Sequence, residues 1–545
     1  MKRIFSTCLA GAVLSMAISS CAKKIDEAYI NPNADVKKPV EQLLPNLIAN
    51  MTISNSAAGT NFGTQNDMVY IGRYVQFWET NATGNQYDRM GPQQPFNNTS
   101  SIMGAVWGSH YFGQGMNLNK MVEWASEEKK WDYVGVGYAI RAWSWLTLTN
   151  LHGDVILRSA WADQLTFPYD PQPDVYTEVR RNCHLALDFL NRTGDGVSQA
   201  NLAIGDQYMN GGDVEKWKSF TYAVLARSFN QLTNKANYNP DSVIYYCDQA
   251  NMLTNAKNTT MKFAQTGGNA GYSFFSAFRG NFNSLRQSRF IAEIMSGANP
   301  ALVTAAIDPR APYIIRENPN STYRGIRPNK GADGLVTADQ PAGFNGQLFT
   351  TTTNPADDLG SRFIFKNNAV FPILTASEVQ FMKAEALYRK GQKNLALAAY
   401  TLGINLHFDQ LIADYEGYVP SGLRMTPSTR AAYFADTDII PTDPNQLTLS
   451  KIMLQKYIAL YGFSAIETWV DLRRYHYNVD QEGGVPVYRN FEPPTGTDLW
   501  PTNNFKPVQR CLPRGASEAY NLPEFNAIGG NAVDYNTKEQ WFSQN

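Results

Sequence analysis

Residues 131–151 read WDYVGVGYAIRAWSWLTLTNL, and as a helix this run is apolar on nearly every side. A helix at a protein surface shows one apolar stripe, so a helix with no polar face has to be enclosed by other helices. The segment therefore predicts a large, mostly helical body. HGDV follows it, and Gly153 is placed to cap the C-terminal end. Further helices are predicted from Asp174, as N-cap, to Leu190, from Asp213 through VEKWKSFTYAVLARSFNQL, and from Asp241 through SVIYYCDQA. In TASEVQFMKAEALYRKGQKNLALAAYTLGINL, Ala384, Leu387 and Tyr388 form one stripe. Gly391 turns the chain, and Leu395, Ala398, Ala399 and Leu402 form the next stripe. Small residues at a helix crossing with a Gly-centred turn between are what a tetratricopeptide-like hairpin needs, but no strict repeat of about 34 residues recurs. The expected architecture is mostly α, with a few degenerate helical hairpins as scaffold.

Between the helices lie long stretches rich in Gly, Asn, Thr and aromatics, at 79–110, 255–290 and 316–370. Loops of this length in a folded body are usually functional. Nothing in the composition divides the body, and aromatic content of 12% supplies a large core with rings left for the surface. One domain is expected over 46–545.

The start of the chain reads differently. Lys2 and Arg3 precede an apolar run from Ile4 to Ile18, then Ser19, Ser20 and Cys21, the order of a secretory signal. The run is too short to span a bilayer, which takes about 20 apolar residues. Its end is similar to the bacterial lipobox, which implies a signal peptide over 1–20, an acylated Cys21 as new N-terminus, and a polar tether over 21–45 carrying the turn Asn31-Pro32-Asn33. Without Lys2 and Arg3 the basic residues number 45 against 48 acidic, a net charge of about −3. Such a balance gives no electrostatic footprint for nucleic acid. Cys183, Cys247 and Cys511 are an odd, scattered set, which predicts small buried hydrophobes.

Catalytic signatures are missing from the sequence. The five histidines show no HExxH, and there is no GxSxG elbow, Walker loop or paired CxxC. No catalytic residue, metal ligand or cofactor is assigned. A binding protein needs flat ring faces flanked by amides, carboxylates or guanidinium groups. YVQFWETNATGNQYDRMGP offers Trp78, Asn81, Asn85, Tyr87 and Arg89, together with Glu79 and Asp88. GGNAGYSFFSAFRGNFN offers Tyr272 and Arg279, together with Asn269, Phe275 and Asn283.

The sharpest pattern lies near the C-terminus, in IMLQKYIALYGFSAIETWVDLRRY, with Gln455, Lys456, Tyr457, Glu467, Trp469, Arg473 and Arg474. With RCLPRGASEAYN, IRAWSWLTLTNLHGDV, DPRAPY and the NPNA opening, it resembles the SusD/RagB family of outer-membrane nutrient-binding lipoproteins, in its SusD-like branch. One departure is that YHYN follows where Gly-Tyr-Pro is expected. The matching residues read as structural, with Trp469 in the core and Glu467, Arg473 and Arg474 in ion pairs at helical spacing. The resemblance implies a SusD-like fold and a lipid-anchored protein on the outer face of the outer membrane. It implies capture of an oligosaccharide, or alternatively an oligopeptide, for a TonB-dependent SusC-like transporter. A surface hydrolase is a further reading, for which a converging Ser/His set or carboxylate pair would be the mark.

Overall fold

Helices α1 (Val40–Ala49), α2 (Thr64–Tyr74) and α3 (Gly115–Glu127) lead into α4 (Trp131–His152). After it come α5 (Gln172–Leu190), α6 (Val214–Asn230), α7 (Pro240–Ala250), α8 (Ala376–Arg389), α9 (Lys393–Tyr415), α10 (Leu449–Ala459) and α11 (Ala465–Arg474). The computed structural model describes residues 37–52, 62–84, 87–90, 103–263, 271–304 and 306–545. Val40–Asn545 form one unit. The unit begins six residues before the expected domain start at 46, because Val40, Leu44, Leu47 and Ile48 are the buried stripe of α1.

Almost every side chain of α4 is buried, as its all-round apolar sequence requires. It packs between α3 and α5; α6 lies on α5, α7 on α6, α8 on α7, and α9 and α10 on α8. The scaffold is thus a row of helical hairpins, α4–α5, α6–α7 and α8–α9. Gly153 and Gly391 end α4 and turn α8 into α9 at φ +80 and +79, where a Cβ would be strained. Asp213 caps α6 by accepting from the Glu215 and Lys216 amides at 2.9 and 3.2 Å. Two other expected caps are displaced. Helix α5 starts after Pro171 with Asp174 in its first turn, and α7 is capped by Asn239, because in each case a proline takes an opening position. Cys183, Cys247 and Cys511 are buried and unbridged.

The C-terminal pattern residues join helices. The Arg227 fork of α6 meets Glu378 of α8 with both contacts at 2.8 Å. Glu467 of α11 accepts from Gln231 at 2.7 Å, Lys456 pairs with Asp471 at 2.8 Å, and Arg474 Nη2 meets Glu385 at 2.7 Å. Only Asp471–Arg474 is a pair within α11, so most of the expected ion pairing runs between helices instead. Trp469 is fully buried and donates to the Tyr477 hydroxyl at 2.8 Å. At the departure from the family pattern, His476 and Tyr477 both adopt left-handed backbone, φ 48 and 60. The turn persists without glycine, and His476 is held by Asp480 at 2.9 Å and Glu539 at 2.8 Å.

Strands are short. β1 (Trp78–Thr80), β2 (Thr259–Met261), β3 (Leu285–Gln287) and β4 (Phe371–Leu374) form two antiparallel pairs, β1 with β3 and β2 with β4. They pin the long connections to the helical scaffold. The 79–110 stretch is less irregular than expected, since Ala105–Gly108 is helical and Ser109–Gln114 continues it as a π-helical turn.

Candidate functional site

Of the two ring-bearing segments, the first supplies core. Trp78 is wholly buried, donates from Nε1 to the Val69 carbonyl at 2.9 Å, and meets Phe282, Phe275 and Phe344 edge-on. Helix α2 comes so close that a Cβ on Gly72 would lie 2.2 Å from the indole. Tyr87 is buried as well, stacked on Tyr74 at 4.5 Å between ring centroids, with its hydroxyl on the Tyr74 carbonyl at 3.2 Å. The expectation that these two rings flank a ligand is therefore corrected. All three residues of β1 are buried, so the strand has no wet face on which the indole could lie. Glu79 and Asp88 are buried with them, and burial pushes the Glu79 carboxyl well above the ordinary range despite nearby Arg73. Asn81 is half-buried and donates to the Phe349 carbonyl at 2.8 Å, whereas Arg89 is exposed. Cys21, Asn85 and Asn269 lie outside the described residues.

The second segment forms a rim. Ser276 caps a single turn, Ala277–Arg279, that lifts Phe278 to the surface, where it is 39% exposed. Tyr272 is half-buried and meets Phe278 edge-to-face at 5.8 Å between centroids. Arg279 donates to the Tyr272 carbonyl at 3.3 Å, with its guanidinium 5.2 Å from the Phe274 ring, so it orders the turn and remains half-exposed. Phe275, by contrast, belongs to the cluster around Trp78. The phenylalanines of YSFFSAFRGNFN thus divide between core and surface, a division that spacing alone does not reveal.

Side-chain amides from the 345–354 loop complete the rim. Asn283 donates to Asn354 at 2.7 Å, Asn354 donates to the Phe278 carbonyl at 3.0 Å, and Asn345 donates to Asn283 at 3.1 Å. Beneath them Arg286 of β3 is fully buried and donates to five carbonyls, those of Asn283, Leu285, Leu348, Phe349 and Thr351, at 2.7–3.1 Å. Burial lowers its pKa to about 10, which leaves it a cation near neutrality. One guanidinium thereby fastens the loop to the strand, and Leu348 is left 66% exposed above it. Rings and hydrogen-bonding amides at one surface suit a polar ligand with apolar faces. The loop's contribution escapes sequence reading because Arg286 lies some 60 residues before the carbonyls it gathers.

A cleft of about 510 Å³ opens elsewhere, between residues 304–323 and 422–436. Of its two lining tyrosines, Tyr323 and Tyr433, the second is already engaged, since it bonds Arg310 and Gln455 through its hydroxyl and packs on Phe408. Among the described residues no cluster of three or more His, Cys, Asp or Glu is arranged to hold a metal, and no helix is long and apolar enough to cross a membrane.

The model of a SusD-like family, described as starch-binding and associating with the outer membrane, matches residues 32–483. The chain belongs to this SusD-like family. Solved structures share its fold. A SusD/RagB family protein of Bacteroides thetaiotaomicron has 19% identity, a TM-score of 0.66, and coverage of 93% of this chain and 99% of that one. A chitin-binding SusD homologue of Flavobacterium johnsoniae has 18% identity, a TM-score of 0.63 and the same coverage. A SusD homologue of Bacteroides fragilis has 17% identity and a TM-score of 0.64, covering 93% and 100%. No curated protein matches the chain. The likeness covers the helical scaffold expected of a SusD-like protein.

Proposed function

We propose that this SusD-like protein captures nutrient oligosaccharides at the cell surface, at the Tyr272–Phe278 rim, and passes them to a TonB-dependent SusC-like transporter. It is held at the outer membrane through acylated Cys21, needs no metal or cofactor, and does no chemistry on its ligand. The observation that carries this reading is the family match, whose description joins starch binding to outer-membrane association. The chitin-binding relative with the same fold supports a glycan as the ligand class. The rim suits that class: Phe278 and Tyr272 offer faces for the C–H side of a sugar ring, while Asn354, Asn345 and Arg279 stand at the edge for hydroxyls.

The test is calorimetric titration of the mature chain with starch- and chitin-derived oligosaccharides. A stacking ring contributes about 1 kcal/mol beyond area burial, so Phe278→Ala and Tyr272→Ala should each weaken binding roughly five-fold. Melting should hardly move for Phe278→Ala, because that ring is already substantially exposed. Unchanged affinity in both variants would remove the rim as the site. Cys21→Ala should release the protein from membranes, and affinity purification in mild detergent should recover the transporter with the parent.

A further inference from the structure

The DPRAPY segment, Asp308–Tyr313, enters the family resemblance but takes no part in the rim. It lies in one wall of the cleft of about 510 Å³, and the helix Pro427–Ala435 with the turn before it forms the other. Both walls are fastened from behind. Arg310, fully buried, forks onto Asp308 at 3.0 and 2.7 Å and donates to the Tyr433 hydroxyl at 2.9 Å and to Gln455 at 2.8 Å. Arg362 donates to the Pro312 carbonyl at 2.9 Å and grips both oxygens of Glu317. The Met425 amide donates to the Tyr313 hydroxyl at 3.2 Å and so ties wall to wall. Protein contacts alone hold the cleft open, as in a pre-formed ligand site, and its volume lies within the roughly 300–1,000 Å³ of such sites.

The lining carboxylates are already answered. Asp308 and Glu317 are paired with those arginines, and Asp436 accepts the Asp438 amide at 2.9 Å and acts on the Lys451 ammonium. What the cleft offers a ligand is apolar, from Ile307, Pro309, Pro312, Leu423, Met425 and Ala432. Ile307 and Leu423 are 45% and 38% exposed, so the lips are apolar and uncovered. Tyr323 is buried among these walls, yet its hydroxyl reaches accessible surface and bonds no described residue. Burial and nearby Glu317 raise its pKa, which keeps it a neutral hydroxyl able to donate or accept. Thr304, Ser321, Arg424 and Thr429 are half or fully exposed and place polar groups at the outer edge.

This arrangement disfavours a bare sugar in the cleft. A sugar carries hydroxyls around its whole edge, and each one buried against these side chains would lose its bonds to water without replacement. A flat aromatic ring loses none, and tyrosine and methionine suit its face and edge. An oxygen on that ring would answer Tyr323, and a sugar attached to it would emerge among the polar groups of the edge.

We propose that this cleft is a second binding site, separate from the rim, that takes an aromatic substituent carried by the captured glycan, with an oxygen on the ring meeting the Tyr323 hydroxyl. That the ring arrives on a sugar rests on the glycan-capture reading; the demand for an oxygen-bearing aromatic ring rests on the cleft alone.

The experiment is equilibrium dialysis of the mature chain with 4-hydroxyphenyl glucoside, phenyl glucoside, methyl glucoside and methyl 4-hydroxybenzoate, the last carrying the ring without a sugar. Both phenol-bearing probes should bind roughly ten-fold or more tightly than methyl glucoside. Tyr323→Phe should weaken those two by about three- to five-fold and leave phenyl glucoside unchanged. Ala432→Trp, at an exposed helical position on the wall, should fill the cleft and weaken all three aryl probes roughly ten-fold without lowering the melting temperature. Equal binding of methyl glucoside, aryl binding indifferent to Ala432→Trp, or an unchanged preference for the phenol in Tyr323→Phe overturns the proposal. Aryl binding that falls with Phe278→Ala and not with Ala432→Trp also overturns it, because the rim would then hold the ring. If the aryl probes fail while starch- and chitin-derived oligosaccharides still bind and respond to Phe278→Ala, the cleft site falls and the capture reading stands. Binding of methyl 4-hydroxybenzoate that Ala432→Trp abolishes, with no oligosaccharide bound, keeps the cleft as a ring site and removes the capture reading.

Discussion

Gly72→Ala should destabilise the protein even though alanine is the better helix former. Gly72 lies inside α2, where exchanging glycine for alanine ordinarily gains about 1 kcal/mol. Here the added Cβ would fall 2.2–2.7 Å from three atoms of the buried Trp78 indole. Overpacking of this kind costs about 1–3 kcal/mol. Displacing the indole also breaks its 2.9 Å bond to the Val69 carbonyl, and a buried donor left unsatisfied costs about 1–3 kcal/mol more. Subtracting the propensity gain leaves a net loss of about 1–5 kcal/mol. Trp78→Ala alone should cost about 3–5 kcal/mol, the range for emptying a large aromatic site. The two changes share one contact, so their effects should not add. With the indole gone, the alanine methyl at 72 occupies vacated space, and Gly72→Ala in that background should be neutral or stabilising. Urea midpoints of the parent, both single variants and the double variant test this directly. A Gly72→Ala protein as stable as the parent, or costs that simply sum, would refute the close helix–indole seat and reopen Trp78 as a mobile ring able to meet ligand.

Two pH-dependent contributions follow from the buried and half-buried charge pairs. Burial alone would raise the Glu385 carboxyl, but Arg474 overrides it and holds the group well below the ordinary carboxylate range. Its stabilisation is therefore complete above about pH 4.3, the unfolded value, and is lost as pH falls toward the folded one. Glu385→Ala, which leaves buried Arg474 with Asp471 as its remaining carboxylate, should cost about 3 kcal/mol in melts at neutral pH, with a smaller deficit in acid; an equal deficit at pH 7 and pH 3 would refute the pairing. For His476, partial burial lowers the imidazole pKa but Asp480 and Glu539 raise it above 6.5 on balance. Its contribution is complete below pH 6.5 and fades as pH rises through the folded value. His476→Asn keeps a residue that tolerates positive φ, so the melting gap between parent and variant should close from pH 5.5 to pH 9, and a constant gap would exclude the charge pairing.

Helix α4, the α8–α9 hairpin and the C-terminal family pattern were legible in the sequence because each depends on neighbours in the chain. An all-round apolar run demands enclosure, a Gly391 turn between small-residue stripes demands a hairpin, and the residues of 452–475 carry the family resemblance wherever their partners lie. Which aromatic residues face water was not legible. Trp78 and Phe278 stand in segments of like composition, yet one is sealed by α2, Phe275 and Phe344, and the other is lifted out by a single capped turn. The rim amides were equally hidden. Arg286 gathers carbonyls from a loop some 60 residues away. Local sequence fixes periodicity, turns and caps through interactions within a few residues. Exposure and charge compensation are sums over whatever the folded chain brings near, so they were decided only when the long connections closed over the helices.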